Sequence, residues 1–197
     1  MKRNRKWIIL GSLIILATLL LFVNFHLSVS KNNVSRNSVT SSTGEIRPET
    51  VQRRDPIILI VNGKNGMATA IQKAVSAQLS AEGIGSPIVS DTVEPANKSP
   101  ILLIEIIERK VFWTPFYGTS SVHVLAGYVS NGDISQIQNL PVKSSNLDGV
   151  EILMSGDYKL TDKSFGIISL PAYRRSLAEA IVQSAMEDIR SIYQIVP

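Results

Sequence analysis

Ile57-Ile58-Leu59-Ile60-Val61, with Pro56 before it and Asn62-Gly63 after it, decides the fold class. A continuous β-branched run of this length between turn residues reads as a buried strand. Asn65-Gly66 then opens a helix from about Met67 to Glu82. There Met67, Ala70, Ile71, Ala74, Val75 and Leu79 recur at spacings of three and four and give one apolar face. Gly83 and Gly85 supply the left-handed positions that end such a helix. Pro87-Ile88-Val89 follows as a short second strand, and Asp91 to Pro100 is a polar loop.

Further along, the pattern turns antiparallel. Ile101 to Trp113 is the longest strand candidate, and Ser121 to Ser130 its hairpin partner, with a turn at Asn131-Gly132-Asp133 after it. Residues 134–149, rich in Ser, Asn and Gln, read as a loop. Val150 to Leu160 and Phe165 to Leu170 read as another hairpin, closed by Thr161-Asp162-Lys163. A last helix runs from about Ala172 to Ile195, with Pro171 suited to its first turn. Its apolar stripe is Tyr173, Leu177, Ile181, Ala185, Ile189, Ile192 and Val196. This order predicts an α+β domain over residues 56–197: a two-layer sandwich of two helices on an antiparallel or mixed sheet of about five strands. The element order over 56–195 resembles that of small envelope-assembly domains such as the TolB N-terminal or curli-secretion type. That resemblance implies a fold and leaves the function open.

Upstream of the domain, Lys2, Arg3, Arg5 and Lys6 make a basic tail over residues 1–6. From Trp7 to Val23 no residue is charged. As a helix these 17 residues cover roughly 26 Å, and extension through Phe25 and Leu27 reaches the ~30 Å hydrocarbon core. Residues 7–27 are therefore expected to form a single transmembrane signal-anchor helix, with its basic end in the cytoplasm and the domain outside. The competing reading is a secretory signal cleaved after Ser30, although the apolar run exceeds an ordinary signal core. Of the sixteen residues from Ser28 to Thr43, eleven are Ser, Thr or Asn, so residues 28–55 are expected to be a flexible tether.

Composition narrows the function. The 197-residue chain has no cysteine, which excludes a disulfide scaffold, a thiolate metal site and a lipid-anchoring cysteine. Its net charge of +4 belongs to the N-terminal segments, because Ile57 to Pro197 holds eleven basic against thirteen acidic side chains. A nucleic-acid interface needs a basic stripe on the domain itself, so nucleic acid is not an expected partner. Gly63-Lys64-Asn65-Gly66 joins a strand to a helix start, where phosphate loops occur, but it lacks a Gly-Lys-Ser/Thr or G-x-G-x-x-G pattern. It reads as a turn with Asn65 as N-cap. His123 is the domain's one histidine, so no two-histidine metal site forms, and no cofactor is expected. Carboxylates are the remaining acids and bases, and an anchored or secreted hydrolase of envelope polymer using them is the alternative function.

The leading candidate site is Phe112-Trp113-Thr114-Pro115-Phe116-Tyr117-Gly118, which holds four of the domain's nine aromatics. Placed at a hairpin tip beyond the sheet, Phe112, Trp113, Phe116 and Tyr117 could not all face the core. Exposed aromatics anchor protein partners. The expected function is thus a membrane-tethered, non-catalytic binding or assembly subunit of an envelope complex, held outside the cytoplasmic membrane.

Overall fold

The computed structural model describes residues 2–23, 25–42, 56–63, 65–90, 99–137 and 152–195. Among these residues the fold is α+β, with three α-helices and one mixed sheet of six strands. In chain order they are α1 (Lys2–Phe22), β1 (His26–Ser42), β2 (Ile57–Asn62), α2 (Gly66–Glu82), β3 (Pro87–Val89), β4 (Ile101–Thr114), β5 (Tyr117–Val129), β6 (Ile152–Ile168) and α3 (Leu170–Ile195). The sheet order is β1-β6-β5-β4-β2-β3. β2 runs parallel to β3 and β4, and the other pairs are antiparallel.

The β2-α2-β3 opening forms as its residues dictate. Asn65 caps α2, its Oδ1 accepting from the backbone N–H groups of Met67 (2.9 Å) and Ala68 (3.1 Å). Gly83 ends α2 at φ 66°, a left-handed position that glycine occupies without strain. The apolar stripe of α3 is buried from Tyr173 to Ile192 and meets Met67, Ile71, Val75 and Leu79 of α2. Both helices lie over one face of the sheet, where Leu59, Ile104, Val124, Tyr128, Met154, Tyr158 and Leu160 complete the main core. At their C-terminal ends Arg190 clamps Glu82 with two bonds, Nε to Oε2 at 2.7 Å and Nη2 to Oε1 at 2.6 Å. A smaller cluster lies on the opposite face, where Ile134 and Ile137 cover Ile60, Ile101, Leu103, Val129 and Leu153.

Four expectations change. First, the Ser/Asn-rich segment expected as a tether is β1 over residues 26–42, and all 17 of its residues pair with β6. Backbone hydrogen bonds hold it, and its helix-side Ser30 joins the core's polar network, with Oγ 2.7 Å from Ser164 Oγ. Residues 43–55 lie outside the described residues. Second, the hairpin expected at Thr161-Asp162-Lys163 is absent; β6 passes straight through, flanked by β1 and β5. Asp162 points inward and is 3% exposed, accepting from Tyr173 Oη (2.8 Å) and Ser164 Oγ (2.9 Å). Third, the sheet has six strands against an expectation of about five, while α2 and α3 are the two helices expected beside the N-terminal one.

The fourth change concerns the N-terminus. Lys2–Phe22 is helical, but its charge-free part from Trp7 to Phe22 rises only about 24 Å, short of the ~30 Å hydrocarbon core. The extension the span required is not helical, because Leu27 pairs with Ile167 in the sheet. Among the described residues no helix is long and apolar enough to cross a membrane, so the transmembrane helix at 7–27 does not stand. Cleavage after Ser30 would remove the first five residues of β1 and the bond from Ser169 N–H to Phe25 O (2.8 Å).

Candidate partner-binding face

The aromatic stretch falls at the β4–β5 turn, and strand alternation divides it. Residues that face the helices include Val111 and Trp113 on β4 and Val122 and Val124 on β5. Phe112 and Tyr117 face the other way. Trp113 is accordingly half-buried, packs against the main core, and donates its indole N–H to Ile168 O at 3.0 Å. It is part of the fold, whereas Phe112 and Phe116 are exposed at 57% and 52%. The four predicted residues are therefore close in sequence but serve two sides of the sheet.

The turn does not project beyond the sheet. Pro115 O accepts from Ile168 N–H (3.1 Å) and Phe116 O from Gly166 N–H (3.1 Å), so β6 carries the turn alongside itself. Gly166 sits at φ 122°, and a Cβ there would come within 2.5 Å of Leu27 O; glycine lets β1 close onto β6 at this point.

The pairing adds residues that sequence reading missed. Tyr117 lies opposite Phe165, and Phe165 opposite Val29. The Tyr117 and Phe165 rings are 5.0 Å apart at 48°, and Phe112 and Tyr117 are 6.3 Å apart at 55°. Phe165 is 59% exposed, and Val29 and Leu27 on β1 more so. The result is a row of apolar side chains across four strands on the face away from α2 and α3: Phe112, Tyr117, Phe165, Val29 and Leu27, with Phe116 at its margin. Phe165 was hidden because its neighbours in the row are far away in sequence. Beneath the row a buried polar network braces the sheet. Tyr173 lies over Gly118, where a Cβ would sit 2.8 Å from the ring, and its hydroxyl reaches Asp162. Burial pushes the Tyr173 hydroxyl well above the ordinary tyrosine range, and Asp162 adds to the shift.

The other candidates are structural. Asn65 consumes the Met67 and Ala68 N–H groups that a phosphate would use, so the Gly63–Gly66 turn is a capped helix start. Nearby, α2 and α3 leave an open groove of about 530 Å³, walled by Ala70, Ala74 and Ala77 against Pro171, Arg174 and Arg175. His123 Nε2 lies 2.9 Å from Asp157 Oδ1, with Lys159 Nζ 3.8 Å from the other oxygen, in a cross-strand cluster on the outer face. Most of the other described acids are engaged one by one: Glu82 by Arg190, Glu108 by Lys110, Glu179 by Arg175, Glu187 by Arg36, and Asp188 by Tyr158. Among the described residues no three His, Asp or Glu groups converge on a metal position.

No family model matches the chain, and no curated protein matches its sequence. Among solved structures it is similar to the PelC dodecamer from Paraburkholderia phytofirmans, at 11% identity and TM-score 0.45 over 78% of this chain and 96% of that one. A variant of the same PelC gives 14% and 0.43, covering 76% and 95%. The hypothetical protein CT253 from Chlamydia trachomatis gives 12% and 0.26, covering 52% and 72%. At these values the likeness assigns no function.

Proposed function

We propose that this chain is a non-catalytic binding or assembly subunit that docks a protein partner through the aromatic end of its sheet's outer face. One observation carries the reading: Phe112 and Phe165, each more than half exposed, lie in one row with Tyr117, Val29 and Leu27, and the equally exposed Phe116 stands at its margin. Water is an unfavourable neighbour for so much contiguous apolar surface, and such patches mark interaction sites. Rigid rings on a hydrogen-bonded sheet also lose little entropy on binding, which suits them as anchors. Carboxylate-dependent hydrolysis finds less support, because most of the described acids are tied into separate ion pairs and hydrogen bonds. Placement in an envelope complex belongs to the proposal. Fractionation that finds the chain in the cytoplasm would remove that part.

The test is photo-crosslinking in intact cells from a photoreactive side chain at Phe116, read by mass spectrometry. The expected result is a discrete protein adduct, lost on Phe165→Ser in a chain that still folds. Equal adducts from a probe at Glu179, exposed on α3, would refute the assignment of the face.

A further inference from the structure

We infer that β1 is a homodimerisation edge, pairing antiparallel with β1 of a second copy in a register centred on Val34. Among the described elements β1 hydrogen-bonds on one side only, to β6, and leaves its other edge open. A 17-residue open edge is a template for another strand, and proteins that avoid such pairing interrupt it with proline, bulges or inward charges. β1 has no proline, and its pairing with β6 runs without a register shift; its two charges are Lys31 on the outer face and Arg36 on the helix side, where Arg36 is paired with Glu187 of α3.

The occupant is identified by the sequence of the edge itself. Read outward from Val34, the midpoint of His26–Ser42, two of the eight mirror pairs are identical (Ser30 with Ser38, Val29 with Val39) and two are small polar pairs (Asn33 with Ser35, Ser28 with Thr40), while Asn32–Arg36, Lys31–Asn37, Leu27–Ser41 and His26–Ser42 differ. A two-fold axis through Val34 therefore sets Val29 of each copy against Val39 of the other, using the whole strand. Both valines lie on the outer face, exposed at 79% and 57%. The two cations fall opposite amides, Lys31 facing Asn37 and Arg36 facing Asn32, so no like charges meet. A one-residue slip would place Lys31 against Arg36, and it would also pair side chains from opposite faces, which antiparallel register forbids. An isologous edge of this kind closes at two copies and joins two six-strand sheets into one of twelve. Full overlap supplies on the order of sixteen new backbone hydrogen bonds. The inference is independent of the aromatic face, since it rests on the edge and not on the row of rings.

The experiment uses the full chain, which has no cysteine of its own. Sedimentation velocity of the unmodified protein should show a dimer that dissociates on dilution; a monomer at every concentration up to the solubility limit overturns the inference. Single variants Val29→Cys and Val39→Cys are then oxidised, or treated with a short bismaleimide, separately and mixed. Directly opposed positions stand about 5 Å apart, whereas the two copies of residue 29 are separated by ten strand positions, roughly 34 Å. Covalent dimer is expected from the mixture and not from either variant alone. Equal crosslinking in the separate samples, or none in the mixture, would overturn the register. Both sites are exposed, and circular dichroism confirms that each variant folds.

Discussion

Trp113 and Phe112 are neighbours on β4 and face opposite sides, so alanine at each should do opposite things. Truncating a fully buried Trp or Phe costs about 3–5 kcal/mol. Trp113 is half-buried, so about 2 kcal/mol of that applies. Loss of the indole bond to Ile168 O adds about 1 kcal/mol, because the carbonyl is left without its donor. The expected total for Trp113→Ala is about 3 kcal/mol, a fall in Tm of about 6–12 °C for a chain of this size. Trp113→Phe keeps most of the apolar contact and should lose only the hydrogen-bond share, about 1 kcal/mol. Phe112→Ala gives up an exposed ring and one tilted contact to Tyr117, so it should cost under about 1 kcal/mol. The assay is urea unfolding followed by far-ultraviolet circular dichroism, with an unchanged slope showing that the same surface is exposed in each variant. Partner crosslinking should move the other way, surviving Trp113→Phe and failing in Phe112→Ala. Equal stability losses at the two positions would refute the division of the aromatics between core and binding face.

Two further outcomes follow from the polar contacts. Tyr173→Phe removes a donor from buried Asp162, leaving the carboxylate with Ser164 alone, and should cost about 1–3 kcal/mol in the same urea assay; a cost below about 0.5 kcal/mol would mean that the network is not what holds β6 in line. The Arg190 bond holds Glu82 below its ordinary value of 4.5, outweighing a smaller opposing effect of burial. A carboxyl depressed on folding contributes stability above its unfolded pKa, and the contribution is lost as pH falls through the lower folded value. Glu82→Gln should therefore flatten the loss of stability below about pH 4.5, and an unchanged acid limb in pH-dependent melting would show that the clamp does not couple to folding.

Where apolar contact makes the structure, the sequence was readable. The β2-α2-β3 opening, the N-cap at Asn65 and the buried stripe of α3 all follow from hydropathy period and capping chemistry, and each is where it was expected. The two misread strands share a different physics. In β6 the period-two pattern runs unbroken, with Lys159, Thr161 and Lys163 outward and Tyr158, Leu160 and Asp162 inward, yet an inward aspartate between polar neighbours imitates a turn. What keeps it in the strand is a hydroxyl from α3, eleven residues away in sequence and invisible to any local window. β1 is harder still. Its outer-face residues are mostly solvated, its inner face carries serines, and its hold on the sheet comes from backbone bonds to β6, to which composition is blind. The same holds for the site: Phe165 enters only through register, and Trp113 leaves it through alternation. A polar strand supplies few side-chain contacts of its own, so β1 depends on the strands beside it. That dependence is why the open edge matters, since a second β1 would satisfy the backbone groups that β6 leaves free.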